Sequence, residues 1–143
     1  VIKDTALADM LKSGEYTPFT LEETVKLLAD IKQLFDLKNI TVIRMGLQTT
    51  EEISPNASVV AGPYHAAIGE MAESEIYKIK LEKLLVGISN KTVTVGCAKS
   101  DVSKVVGHKR RNAIYFLEKY GIRLFAAGDE HTKSGELRII EVK

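Results

Sequence analysis

Apolar positions at Leu21, Val25, Leu28, Ile31 and Phe35 recur with the spacing of a helix that buries one face, and the run ends near Asp36. Thr20 stands just before it and Glu23 three residues on. This is a capping box, in which the Thr hydroxyl accepts the Glu23 amide proton and the Glu23 carboxylate reaches back. A shorter helical pattern over residues 5–11 closes at Ser13-Gly14, where glycine can take the left-handed conformation that ends a helix. Residues 40–47 form a nearly continuous apolar run rich in β-branched side chains, which predicts a strand covered on both faces, as in a parallel sheet. The opening Val1-Ile2-Lys3 reads as the tail of another strand. The first unit is then strand, helix, strand, with Ile2 and residues 40–45 as parallel neighbours joined by a right-handed crossover.

After a polar loop over residues 49–58, the chain predicts an amphipathic helix from about Pro63 to Leu85, with Ile68, Met71, Ile76, Ile79 and Leu84 as buried positions. Residues 92–97 alternate as a strand. Residues 102–120 have helical spacing and stop at Gly121, and residues 122–126 and 137–142 read as two further strands with a hairpin loop over 128–135. The expected division is 1–60, 61–88 and 89–143. The fold class is α/β at the front, with a small βαββ module of α+β type at the end.

With 45% hydrophobic and 27% charged residues, 143 positions make one ordinary domain or two small ones. That composition excludes disorder, collagen and coiled coil. There is neither an apolar run of about 18 residues nor a basic-then-apolar leader, so no membrane partner is expected and the chain reads as cytoplasmic. Its first residue is Val1, and a fragment of a longer protein is expected. Cys97 is the sole cysteine, which excludes a disulfide framework and any metal cluster held by several cysteines of this chain. Net charge is uneven: residues 1–72 carry 6 Lys/Arg against 10 Asp/Glu, and residues 73–143 carry 14 against 9. Such halves often face different partners.

Three segments carry candidate chemistry. Gly107-His108-Lys109-Arg110-Arg111 is a basic turn that can present backbone N–H groups and positive charge to phosphate, or is simply a solvated helix face. Arg44, Gly46, Leu47 and Gln48 lie at the carboxyl end of the predicted strand, where parallel α/β proteins bind ligands; Arg44 either serves a ligand or is paired with a helix carboxylate. His65, beyond the Gly62-Pro63 turn, either holds a substrate group or is structural. There is no metal-ligand spacing, nucleophile elbow or Gly-rich nucleotide loop, and no catalytic residue is assigned.

The segment Val105-Val106-Gly107-His108-Lys109-Arg110-Arg111-Asn112, with its exit at Gly121-Ile122-Arg123-Leu124, resembles a KH domain over about residues 92–142. In that family a Gly-x-x-Gly loop clamps the nucleic-acid backbone. Here Arg110 replaces the second glycine, which adds charge and removes clearance.

A wider resemblance covers essentially the whole chain. Residues 1–10, Gly14-Glu15-Tyr16, the Thr20-Leu21-Glu22-Glu23 helix and Val42-Ile43-Arg44-Met45-Gly46-Leu47-Gln48 look like the last βα unit and final strand of a radical S-adenosylmethionine barrel. Ala61-Gly62-Pro63-Tyr64-His65 and Glu73-Ser74-Glu75-Ile76-Tyr77 resemble the carboxyl-terminal extension of a bacterial subgroup. That subgroup is related to the elongator catalytic subunit, and its members are often labelled iron–sulfur oxidoreductases or oxygen-independent coproporphyrinogen III oxidase-like proteins. The resemblance implies that residues 1–60 end a barrel, 61–88 connect, and 89–143 form a KH-like module. It implies a parent enzyme using S-adenosylmethionine and a [4Fe–4S] cluster held by three cysteines of a Cys-x-x-x-Cys-x-x-Cys loop, none of them in this chain, and it sets Arg44, Gly46, Leu47 and Gln48 near cofactor or substrate. The chain alone is then expected to be inactive and to hold no cofactor, with the rest of its own chain as partner. The rival expectations are an RNA-binding module acting through the basic turn, or a structural domain that covers the barrel mouth.

Overall fold

The Thr5 side chain accepts from the Ala8 amide at 3.3 Å and starts helix α1, Ala6–Ser13, which ends where Gly14 turns left-handed at φ 80°. The structure is a computed structural model that describes residues 1–47 and 58–143. Two units are resolved by their internal packing, Val1–Gly69 and Glu70–Lys143.

In the first unit, helix α2, Leu21–Leu37, opens on the capping box: Glu23 N donates to Thr20 Oγ1 at 3.2 Å, and Thr20 N donates to the Glu23 carboxylate at 2.8 Å. The predicted stripe is covered along only half its length. Val25 and Ala29 are buried and Leu28 half-buried, whereas Ile31 and Phe35 are exposed.

The strand expected over residues 40–47 does not form. Ile40, Ile43 and Leu47 are exposed, Ile43 almost fully at 95%. β-branched residues favour extended backbone, but a strand also needs a neighbour to complete its hydrogen-bond ladder, and the described residues provide none here. Ile2 does not pair in parallel with this segment either. It makes an isolated antiparallel bridge with Val59, flanked by Lys3 N donating to Ser58 O at 2.8 Å. The described residues of this unit thus contain no parallel strand pair, and no partial barrel is seen among them.

Helix α3 is Ile68–Leu84 and starts later than Pro63. The Ala67 amide donates to His65 Nδ1 at 3.0 Å and Ile68 N to His65 O at 3.1 Å, so His65 ends the preceding turn and sets the helix start.

The second unit is built on strand β1, Thr92–Cys97, helices α4, Val102–Val106, and α5, Arg111–Tyr120, and strands β2, Arg123–Gly128, and β3, Arg138–Val142. β1 is central. It runs parallel to β2, with Val93 beside Leu124 and Thr94 beside Phe125, and antiparallel to β3 with a bulge between Thr94 and Val95. The expected hairpin of the last two strands is therefore not formed: β3 crosses to the far edge of β1. The parallel β1–β2 pair requires a crossover, which α4 and α5 supply. Val93, Val95, Cys97 and Leu124 pack with Tyr77, Leu81, Leu85, Val105, Phe116 and Ile122 in one core. Among the described residues no helix is long and apolar enough to cross a membrane.

Candidate functional site

In the first unit, Gly46 and Leu47 lie at the wall of a cavity of about 280 Å³, together with Thr24, Leu28, Tyr64 and His65. Gly46 is left-handed at φ 83°, and a Cβ there would meet Ile68 Cγ2 at 2.3 Å, so glycine lets the extended segment close against the start of α3. His65 Nδ1 already accepts the Ala67 amide, which leaves the proton of the neutral ring on Nε2. Arg44 is exposed and does not line this cavity, and among the described residues no buried strand surrounds it. Gln48 lies outside the described residues.

In the second unit, the helix expected over residues 102–120 is broken at the basic turn. Gly107 has φ 85° and ψ 153°, a region that side chains other than glycine rarely enter, and a Cβ would sit 2.8 Å from Asn112 Cγ and N. Lys109 and Arg110 follow in left-handed conformation at φ 51° and 63°, and Arg110 N donates to Gly107 O at 2.8 Å. Arg110 thus adopts the backbone conformation that glycine would supply at the second loop position. Lys109, Arg110 and Arg111 are exposed on this turn.

Two residues that the sequence pattern leaves inconspicuous fix the turn. Ser74 Oγ accepts the His108 amide at 3.0 Å while donating to Glu70 O at 2.7 Å. Asn112, 2% exposed, donates from Nδ2 to Ser74 O at 2.9 Å and to Lys104 O and Val105 O at 3.2 Å each. The last two carbonyls belong to α4, so a side chain of α5 caps the helix before it. An Asn seven or eight residues beyond a helix carbonyl has no local signature, and only the observed fold brings it there.

Acid groups flank this turn. Lys104 Nζ meets Glu73 at 2.6 Å, and His108 Nδ1 lies 3.4 Å from Glu70. These side chains, with Ser74, Ser103 and Lys109, line a recess of about 320 Å³. The cations that project beyond the recess can meet phosphate; the recess itself, walled by two carboxylates, cannot cradle it. At the far end of α4, Asp101 is fully buried and accepts Ser134 Oγ at 2.9 Å and Gly135 N at 2.8 Å. Burial opposes its charge, but hydrogen bonds from Tyr77, Gly135 and Ser134 and the charge of Lys104 hold its carboxyl down at about 2.

A [4Fe–4S] cluster does not fit this chain. Cys97, its sole cysteine, is fully buried in the core with its thiol pushed up by burial, and the described residues hold no group of three His, Cys, Asp or Glu side chains able to bind a metal.

Residues 1–78 match the family described as the Radical_SAM C-terminal domain. No curated protein and no solved structure matches the chain.

Proposed function

Because this chain belongs to the Radical_SAM C-terminal domain family, we propose that it is the carboxyl-terminal part of a radical S-adenosylmethionine iron–sulfur oxidoreductase, of the elongator- and coproporphyrinogen oxidase-like subgroup. The family match over residues 1–78 carries this reading. With one cysteine, and that one buried, the cluster ligands must come from another part of the parent chain, and this part alone is catalytically silent. That missing part is also its first partner. The exposed Ile31, Phe35, Ile40 and Ile43 of the first unit suit burial against it.

Within that reading Gly46 and Leu47 stand near cofactor or substrate. Their cavity is walled mainly by apolar side chains with Tyr64 and His65 among them, so it accepts an apolar or aromatic moiety in preference to a charged one. Arg44 is exposed, which suits it to an anionic group outside the cavity. The test is to express the chain with the coding sequence that precedes it. A Cys-x-x-x-Cys-x-x-Cys loop there, visible absorbance after anaerobic iron and sulfide loading, and release of 5′-deoxyadenosine from S-adenosylmethionine are expected. Absence of the cysteine loop would overturn the proposal.

The exposed Lys109, Arg110 and Arg111 favour a second reading, in which the KH-like unit meets RNA through phosphate. Binding of this kind is sensitive to salt and nearly indifferent to sequence. If neither unit binds a ligand, the second serves as a structural cover for the barrel mouth.

A further inference from the structure

Strand β2 is an edge of its sheet. Arg123 N donates to Lys91 O and Asp129 N to Cys97 O, both toward β1. In this parallel pair the odd-numbered residues of β2 therefore bond inward, and Leu124, Ala126 and Gly128 aim their N–H and C=O groups outward. No other strand lies on that side among the described residues. Natural sheets blunt such an edge with a proline, a lysine or a bulge. β2 has none of these, and its register with β1 is unbroken, whereas β3 on the opposite edge has the bulge and the charged Arg138 and Glu141. Apolar surface continues from the edge of β2. Phe125 is 53% exposed on the strand itself. Helix α5 packs against β2, and its Tyr115 hydroxyl donates to Glu82 of α3. α3 lies on the β3 side, since Lys80 Nζ donates to Gly135 O ahead of β3 at 2.7 Å. The exposed Ile114 and Leu117, on the side of α5 turned from Tyr115, thus flank the outer edge of β2.

We propose that this edge joins a second copy of the chain, β2 pairing antiparallel with β2 about a twofold axis at Ala126. The order of side chains selects that occupant. The strand begins with the large Arg123, Leu124 and Phe125 and ends with the small Ala126, Ala127 and Gly128, followed by Asp129. With Ala126 on the axis, every outward residue meets an outward partner: Leu124 pairs with Gly128 of the second copy, and Ala126 with its own equivalent. Phe125 then lies beside Ala127 of the second copy, and Arg123 beside its Asp129, large against small and positive against negative. Asp129 also accepts from Arg138 Nε at 2.8 Å, so its charge guides the register more than it adds strength. A parallel pairing in register would instead set Phe125 on Phe125 and Arg123 on Arg123. Residues 124–128 carry no charge, so the edge gives a polyanion no grip. One strand edge with Phe125, Ile114 and Leu117 from each copy falls near the lower limit of about 1,200 Å² for stable interfaces, which makes the dimer a reversible one.

Sedimentation velocity of the full 143-residue chain between about 1 and 200 μM should show a monomer–dimer equilibrium. Ala126→Pro removes the outward N–H on the axis and leaves the bonds to β1 in place. It should keep the circular dichroism of the parent chain and weaken the dimer at least about 10-fold. Phe125→Asp changes an exposed side chain and should weaken the dimer as well, which keeps the test open if the proline disturbs the strand. Cross-linking reads the register. Residues 125 and 127 of the two copies form a non-hydrogen-bonded pair with Cα atoms about 4.5 Å apart, within reach of a disulfide. A Phe125→Cys/Ala127→Cys double variant should be trapped as a covalent dimer under mild oxidation, and neither single variant should. Three results would overturn the proposal: a monomer at every concentration, a dimer of parent strength in both Ala126→Pro and Phe125→Asp, or equal trapping of the single and double variants. The second of these would place the contact on the exposed apolar residues of the first unit instead.

Discussion

Asn112 Nδ2 donates to the backbone carbonyl of Ser74 at 2.9 Å across 38 residues of sequence, tying the first turn of α5 to the middle of α3. The same nitrogen serves Lys104 O and Val105 O, so one buried amide satisfies carbonyls of two other helices. The orientation of the basic turn follows, because Ser74 also accepts the His108 amide from its side chain.

Asn112→Ala removes the donor that caps the Lys104 and Val105 carbonyls at the end of α4 in a buried site and should cost about 2–4 kcal/mol of stability. Asn112→Asp should cost more, since it aims an unpaired charge at carbonyl oxygens. Urea unfolding followed by circular dichroism measures both. Equal stability of the alanine variant would show that water replaces the amide.

The two loop positions respond in opposite ways. Gly107→Ala meets both an unfavourable φ of 85° and a 2.8 Å approach to Asn112, and should destabilise by about 2–4 kcal/mol. Arg110→Gly relieves a left-handed arginine at φ 63° and should be neutral or stabilising by up to about 1 kcal/mol. Thermal melts of the two variants side by side separate backbone strain from any effect of charge.

Asp101 gives the second unit an acid limit. Its carboxyl is held at about 2 in the folded chain, below its ordinary value of 3.8. A depressed carboxylate contributes stability that is fully present above the unfolded value and lost as pH falls through the folded one. Stability should therefore drop by about 2 kcal/mol between roughly pH 4 and pH 2. Asp101→Asn should remove most of that slope and lower the stability at pH 7. Urea midpoints from pH 2 to pH 7 for both proteins test the sign. A variant that keeps the full slope would assign it to other carboxylates.

Cys97 should stay unmodified by maleimide in the native chain at pH 8 and react in urea, because its thiol is buried within β1 and its pKa is raised. Anaerobic loading of the native chain with iron and sulfide should likewise leave it colourless. Fast native labelling would contradict the packing of β1.

The local signals in this chain were sufficient wherever they were self-contained. Thr5 and Gly14 bound α1, Thr20 and Glu23 open α2, and the alternation of residues 92–97 marks β1, because caps and period-two patterns act over a few residues. Gly107 opens the basic turn, inside a segment whose apolar spacing is helical from 102 to 120, and the spacing by itself does not show that the helix divides there. What tertiary structure alone decided are the pairings. The apolar run over 40–47 has the composition of a strand but lacks a neighbour among the described residues, and β3 joins β1 across the sheet instead of turning back on β2. Composition sets which backbone conformations are cheap, whereas a strand exists only when another segment completes its hydrogen bonds. For the same reason the Ser74–Asn112 link and the exposure of Phe125 beside Arg123 emerge only once the β1–β2 register and the α3–α5 contact are in place.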